Sequence, residues 1–247
     1  MTARLAHIWR HPVKSLGRHA VERVTLEPGK PMPCDRCWAI AHEASKFDGD
    51  WVPCQNFSRG SQSPGLMAVD TEWDQASGNL TFRHPDLPDL IANPDTESEK
   101  VIGWLRPLVP ENRPAPTRII TLPERGLTDT DYPSVSIGSL ASLKALGQRV
   151  GTDLDMRRMR INFWFDGLDA WQEAEWVGKR LRLGSAVLEV KDQITRCKAT
   201  EANPATGRRD AGVLTALNEM GHQEFGIYAI VVEGGEVALD DRLEILS

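Results

Sequence analysis

The chain has 247 residues, 40% of them hydrophobic and 26% charged, with a formal net charge of −6. That balance fits one large or two modest globular domains and excludes a dedicated nucleic-acid binder, which carries a basic face. "MTARLAHIWRHPVKSLG" lacks the apolar core of a signal peptide, no run of about 18 apolar residues exists to span a bilayer, and four cysteines make no disulfide framework, so a cytoplasmic, membrane-free protein is expected.

In chain order the sequence reads mainly as strands. "LAHIWRHPV" is an apolar run broken at Pro12, and "RVTLEPG" alternates Val24 and Leu26 before a Pro-Gly turn. "CWAIAHE" places Trp38 and Ile40 on one face, and "NLTFRHP" does the same with Leu80 and Phe82. "TESEKVIGWLRPL" starts with a capping-box pattern, Thr96 and Glu99, and continues as a helix with Val101, Ile102 and Leu105 on one side. The proline-rich "RPLVPENRPAPTRIITLPERG" predicts a linker, with a domain boundary near residue 115 that divides the chain into 1–115 and 116–247. "GSLASLKALGQRVG" carries Leu140, Leu143 and Leu146 at helical spacing and ends near a glycine. "RLRLGSAVLEV" predicts a hairpin around Gly184-Ser185, and "FGIYAIVVEGGEVALDDRLEIL" a second strand pair turned at Gly234-Gly235. The expected fold is mainly β with a few helices, as a barrel or a folded sheet system.

Several charged islands interrupt this pattern. "HPVKSLG" sets Lys14 and Ser15 at a turn after a strand, where a lysine, a hydroxyl and free N–H groups can hold an anion, or where the lysine is only solvated. In "MRRMRINFWFDG", Arg158 and Arg160 alternate with Met159 and Ile161, so a strand sends both arginines, and Asn162 after them, to one face. Such a pair needs a neutralising partner, either a carboxylate or a bound anion. Cys34 and Cys37 form a C-x-x-C with Arg36 between them. No second pair and no spaced histidines complete a zinc site, and the second cysteine enters a strand rather than a helix, which leaves packing cysteines or an adventitious disulfide. "ITRCKATEANPATGRRD" wraps Cys197 between Arg196 and Lys198, whose charge favours the thiolate that attacks carbon or binds a metal; on this segment alone, a loop cysteine without a role is the other reading. Cys54 belongs to no motif.

Taken in order, "WRHPVKSLG", "DRCWAI", "MRRMRINFWFDGLDAWQEAEWVGKRLRLG" and "TRCKATEANPATGRRD" resemble the MOSC family, named for the C-terminal domain of molybdenum cofactor sulfurase and including the mitochondrial amidoxime-reducing component. The resemblance covers nearly the whole chain and implies an N-terminal β-barrel module followed by a MOSC-type β-barrel domain. It implies the molybdenum cofactor, Mo-molybdopterin, with Cys197 as the metal ligand and Lys14, Ser15, Arg36, Arg158, Arg160 and Asn162 as cofactor contacts. A soft thiolate suits a soft metal–sulfur centre, and arginine forks suit phosphate oxygens. The cationic neighbours are expected to depress the pKa of Cys197. The resemblance further implies an oxidoreductase acting on N-hydroxylated small molecules, or alternatively a carrier of cofactor or sulfur. Two positions depart from the reductase pattern: Ile194 where a second cysteine is common, and Asn203 where an aspartate is common. With no cysteine cluster after residue 197, electrons are expected from a separate donor protein of ferredoxin or flavoprotein type.

Overall fold

The computed structural model describes residues 3–122 and 124–246. In chain order the strands of the first half are β1 (Arg4–Arg10), β2 (His19–Val21), β3 (Arg23–Leu26), β4 (Trp38–His42), β5 (Asp70–Trp73), β6 (Leu80–His84), β7 (Leu87–Ala92) and β8 (Pro116–Thr121). The second half adds β9 (Val135–Ser139), β10 (Phe163–Asp166), β11 (Arg180–Leu183), β12 (Ala186–Thr195), β13 (Glu224–Glu233), β14 (Gly235–Ala238) and β15 (Leu243–Leu246). Three α-helices accompany them: α1 (Ser98–Leu105), α2 (Leu140–Val150) and α3 (Val213–Glu219). The fold is mostly β, an N-terminal barrel domain plus a second β domain built on a curled half-barrel sheet.

That sheet has eight strands in the order β15-β11-β12-β13-β9-β10-β1-β2. Only β9 and β10 run parallel within it. Its inner face buries Leu5, Ile8, Val135, Ile137, Phe163, Phe165, Leu181, Leu188 and Ile227 in one apolar cluster. The alternation seen in the sequence is real: β3 buries Val24 and Leu26 and exposes the residues between them. In β4 the two faces enter different clusters, Trp38 and Ile40 on one side, Ala39 and Ala41 on the other. Leu80 and Phe82 of β6 join the first of these beneath α1. Helix α2 starts at Ser139, whose hydroxyl accepts from Ser142 N–H at 3.3 Å, and packs with α3 over Trp164 and Phe225.

The β11–β12 hairpin turns at Gly184-Ser185 as expected. Gly184 has φ +58, and a Cβ there would overlap the carbonyl oxygen of Glu236, so both conformation and space demand glycine. Four local expectations differ from the structure. At Gly234 the chain leaves β13 without forming a hairpin: β14 pairs with β3, and β15 with β11. Helix α1 is not opened by a Thr96–Glu99 box; its N-cap is Glu97, because the preceding turn belongs to Asn93. The Asn93 carbonyl accepts from Glu97 N–H at 2.8 Å, and the Glu97 carboxylate accepts in return from Asn93 N–H at 3.0 Å. The proline-rich segment is more than a linker, since Pro116–Thr121 forms β8 and pairs antiparallel with β4. Finally, the alternating arginines do not lie on a strand. Met156–Met159 is a 3-10 turn, Arg160 closes it in the left-handed conformation at φ +50, and β10 begins only at Phe163.

Candidate functional site

A cleft of about 410 Å³ opens where the end of β12 meets the turns that follow β1 and precede β4. It is lined by Ser15, Arg36, Arg158, Arg160 and Cys197, together with residues from other loops. The fold delivers each of them by a local device. Irregularities in the β12–β13 register, between Val190 and Asp192 and between Gln193 and Thr195, bend the end of β12 toward the cleft. Cys197 follows in extended conformation, caps the 3-10 turn Lys198–Glu201, and stands exposed; the Thr200 hydroxyl donates to its carbonyl at 3.0 Å.

The arginines converge from three segments. Arg36, itself left-handed at φ +53, is paired with the fully buried Asp35 and donates from Nη2 to the Arg160 carbonyl at 3.0 Å. Asp35 also accepts from the main-chain N–H of His11 at 2.6 Å and contacts the His11 ring at 3.3 Å. Arg158 is 4% exposed, pairs with Asp210 at 2.6 Å and donates to the Glu201 carbonyl at 3.0 Å, while its Nε is buried without a partner. Arg160 donates to the carbonyls of Gly17 (2.9 Å) and Val13 (3.1 Å), stapling the turn that carries Ser15 at φ +71.

Two expected contacts lie elsewhere. Lys14 does not line the cleft: its ammonium donates to the carbonyls of Leu127 (2.9 Å) and Thr128 (3.3 Å) and pairs with Asp129 at 2.5 Å, so it holds a cleft-lining loop in place. Asn162 is 1% exposed and sits behind the cleft, accepting from the Ser136 N–H (3.0 Å) and hydroxyl (2.8 Å) and donating to the Trp9 carbonyl (3.0 Å). It ties β9 to β1.

The cleft also contains residues that no sequence motif singled out as contacts. Arg196 is buried and donates to the Phe225 carbonyl (2.6 Å) and the Met159 carbonyl (2.7 Å). Cys54 is a second thiol of the lining, with Arg59 donating to its sulfur at 3.6 Å. Asp129 and Tyr228 also line the cleft. Arg196 sits beside Cys197 in the same motif, so its cation was visible; Cys54 and Asp129 arrive on distant loops with no local signal.

The electrostatics have a definite pattern. Arg36, Arg158 and Lys14 each have a carboxylate partner. Among the described residues Arg160 and Arg196 have none, and their guanidinium groups are held by carbonyls alone. Desolvation, reinforced by Arg36, pushes the Arg160 pKa down to about 9, and burial pushes Arg196 down to about 10. An anion in the cleft would relieve both, so the lining fits a phosphate-bearing group. The expected depression of Cys197 is not found. Although the residue is exposed at the cleft mouth, the surrounding walls desolvate its sulfur and raise its pKa above the ordinary thiol value, with the nearby Asp129 adding to this against the Ala199 N–H and the weaker pull of Arg196. A metal ion replacing the thiol proton reverses that penalty. Among the described residues no three His, Cys, Asp or Glu side chains gather to hold a metal on their own, so a metal at Cys197 must bring further ligands with it.

Comparison with known proteins identifies the two domains of the chain. Residues 2–103 match the MOSC N-terminal beta barrel domain, and residues 127–244 match the MOSC domain. Among solved structures, the YuaD protein of Bacillus subtilis is 13% identical, with 99% of this chain and 96% of that chain covered and a TM-score of 0.49. YiiM of Geobacillus stearothermophilus is 16% identical over 46% of this chain and 54% of its own, with a TM-score of 0.35. YiiM of Escherichia coli is 17% identical with the same coverage and a TM-score of 0.33. No curated protein matches the chain. No helix among the described residues is long and apolar enough to cross a membrane. MOSC domains in general are associated with binding of the molybdenum cofactor. The chain belongs to the MOSC family, and carries that family's N-terminal β-barrel domain ahead of a MOSC domain.

Proposed function

We propose that the cleft holds the molybdenum cofactor, with Cys197 as the protein's ligand to the metal, and that the protein is an oxidoreductase reducing N-hydroxylated small molecules. The observation that carries this reading is the pairing of an exposed thiol with two carboxylate-free arginines, Arg160 and Arg196, on one cleft. A single thiolate and an unneutralised cationic wall are what a cofactor with its own sulfur ligands and a phosphate requires. When bound, the cofactor supplies a two-electron redox centre.

The chain's residues supply binding and orientation. Cys197 would hold the metal as a thiolate, and its raised pKa would couple that binding to release of a proton. Arg160 and Arg196 would hold the phosphate of the cofactor, while Arg36 and Arg158 are oriented by Asp35 and Asp210. Lys14 and Asn162 act through the backbone, holding the 127–129 loop and the β9–β1 junction. Electrons come from a separate donor protein.

Elemental analysis of protein made in a host that synthesises the pterin cofactor tests the first part. Near-stoichiometric molybdenum, lost in Cys197→Ser, supports it; zinc or no metal overturns it. A reductase assay on amidoximes with an artificial electron donor tests the second, and molybdenum without turnover would make the protein a carrier.

A further inference from the structure

The turn ahead of β4 holds chemistry that cofactor binding does not use. Cys34 and Cys37 are free thiols, both half-buried, and Cys34 adopts the left-handed conformation at φ +58. The turn is pinned at both ends: Asp35 N–H donates to the Met32 carbonyl at 3.0 Å, and Trp38 N–H to the Pro12 carbonyl at 3.2 Å. Each thiol acts chiefly on the other: Cys37 holds Cys34 below the ordinary thiol pKa, and Cys34 pushes Cys37 above it. Cys37 packs against the apolar cluster of β4 and β6.

Arg10 is an independent observation at the same place. It is 6% exposed, lies 5.4 Å over the Trp73 ring, has no carboxylate partner among the described residues, and leaves its buried Nε without a hydrogen bond. Trp73 and Cys37 pack against the same apolar cluster, which sets Arg10 beside the turn, and its charge favours the Cys34 thiolate. A buried cation without an acid is costly unless something nearby gains negative charge. Beside a thiol, that something is the thiolate. Packing alone calls for neither the cation nor the paired sulfurs.

We propose that Cys34 and Cys37 form a dithiol oxidised by hydroperoxides, Cys34 being the attacking sulfur and Cys37 the resolving one. The Cys34 thiolate attacks one peroxide oxygen and breaks the O–O bond, giving a sulfenic acid; the other oxygen leaves as water, or as an alcohol from an organic hydroperoxide. The Cys37 sulfur then attacks the Cys34 sulfur, and the sulfenic oxygen leaves as a second water carrying the Cys37 proton. Two thiols and one hydrogen peroxide thus yield one disulfide and two waters, and a dithiol reductant reverses the change. The bond closes a ring that contains Asp35 and Arg36. Arg36 lines the cleft and contacts the Arg160 carbonyl, so the redox state of the pair bears on the cationic wall.

The test treats the protein with near-stoichiometric hydrogen peroxide, alkylates the remaining thiols and maps the peptides by mass. A reversible Cys34–Cys37 disulfide is expected while Cys54 and Cys197 are still alkylated. In Cys37→Ser, Cys34 should be trapped by dimedone as a sulfenic acid, and Arg10→Gln should slow wild-type oxidation by about tenfold through loss of thiolate. Absence of the disulfide, or dimedone labelling of Cys34 no faster than that of Cys54, overturns the proposal. A further readout rests on the function proposed above: oxidised protein should retain less molybdenum on dialysis than the re-reduced form. Equal retention removes the link to Arg36, whereas the mass mapping is unaffected by whether molybdenum binds at all.

Discussion

Arg36 donates from Nη2 to the main-chain carbonyl of Arg160 at 3.0 Å, so one arginine of the cleft is propped on the backbone of another. The contact brings two cations together, yet only Arg36 has an acid at its side. The cleft therefore has paired and unpaired arginines, and the two kinds should respond differently to removal.

Arg160→Ala should weaken cofactor retention about 10- to 100-fold, the equivalent of one charge-assisted contact of roughly 1.5–3 kcal/mol. Arg158→Ala breaks the pair with Asp210 and should lower folding stability more than it lowers molybdenum content. Denaturant midpoints and metal content measured on the same preparations separate the two. Equal loss of metal in both variants would mean that ion pairing does not divide the set.

Cys197→Ser should remove one sulfur contribution from the molybdenum absorption spectrum and abolish reductase turnover. Because the residue is exposed, stability should move by less than about 0.5 kcal/mol. Full activity in this variant would remove the ligand assignment.

Acid should destabilise the protein before its exposed carboxylates titrate. Burial, then the charge of Arg160, pushes His11 from 6.5 down to about 3. A histidine with a depressed folded-state pKa is neutral when folded and protonated when unfolded between those values. The unfolded state then binds the extra proton, and stability falls as pH drops from about 6.5 towards 3. Asp35, held below the carboxylate range mainly by Arg36 against the cost of its burial, adds to the loss once pH falls below its unfolded value of 3.8. Urea unfolding should show a slope approaching about 1.4 kcal/mol per pH unit from this one proton, flattened in His11→Asn. A wild-type curve flat between pH 6.5 and 4.5 would refute the buried neutral histidine.

Gly226→Ala should disturb the cleft from beneath. Gly226 has φ +73, and an added Cβ would fall 2.7 Å from the Ile137 carbonyl oxygen and 3.3 Å from Nη2 of Arg196. A cost of about 1–3 kcal/mol in stability is expected from strain and clash together, with reduced cofactor retention as Arg196 is displaced. Unchanged thermal stability would contradict the crowding at this position of β13.

The strands and the site were not equally legible. β3 and β6 could be read directly because one face is buried and the other is not. β8 was hidden by the prolines around it, and the strand content of its residues is decided by pairing with β4, far back in the chain. The segment from Arg158 to Asn162 imitates a strand in its alternation, but the left-handed Arg160 breaks the periodicity in a way no side-chain pattern reports. Arg36, Arg158, Arg160, Ser15 and Cys197, named as contacts from separate motifs, share one cleft. Lys14 and Asn162 were placed beside them by the family resemblance, yet their polar atoms are taken up by the Leu127 and Thr128 carbonyls, Asp129 and Ser136. Sequence can name a polar residue without showing which neighbour claims it.

The order in which the strands pair also governs how the chain can be made. β1 rests beside β10, β3 is completed by β14, and β4 by β8, so the earliest strands to leave a ribosome wait for partners synthesised much later. Until β14 and β10 emerge, β1 and β3 present open edges of the kind that recruit other chains. An isolated segment ending at residue 115 would keep those edges permanently and lose β8 as well. Splitting the protein into separately expressed halves should therefore give aggregation, and co-expression should rescue it only if the halves meet before their edges do.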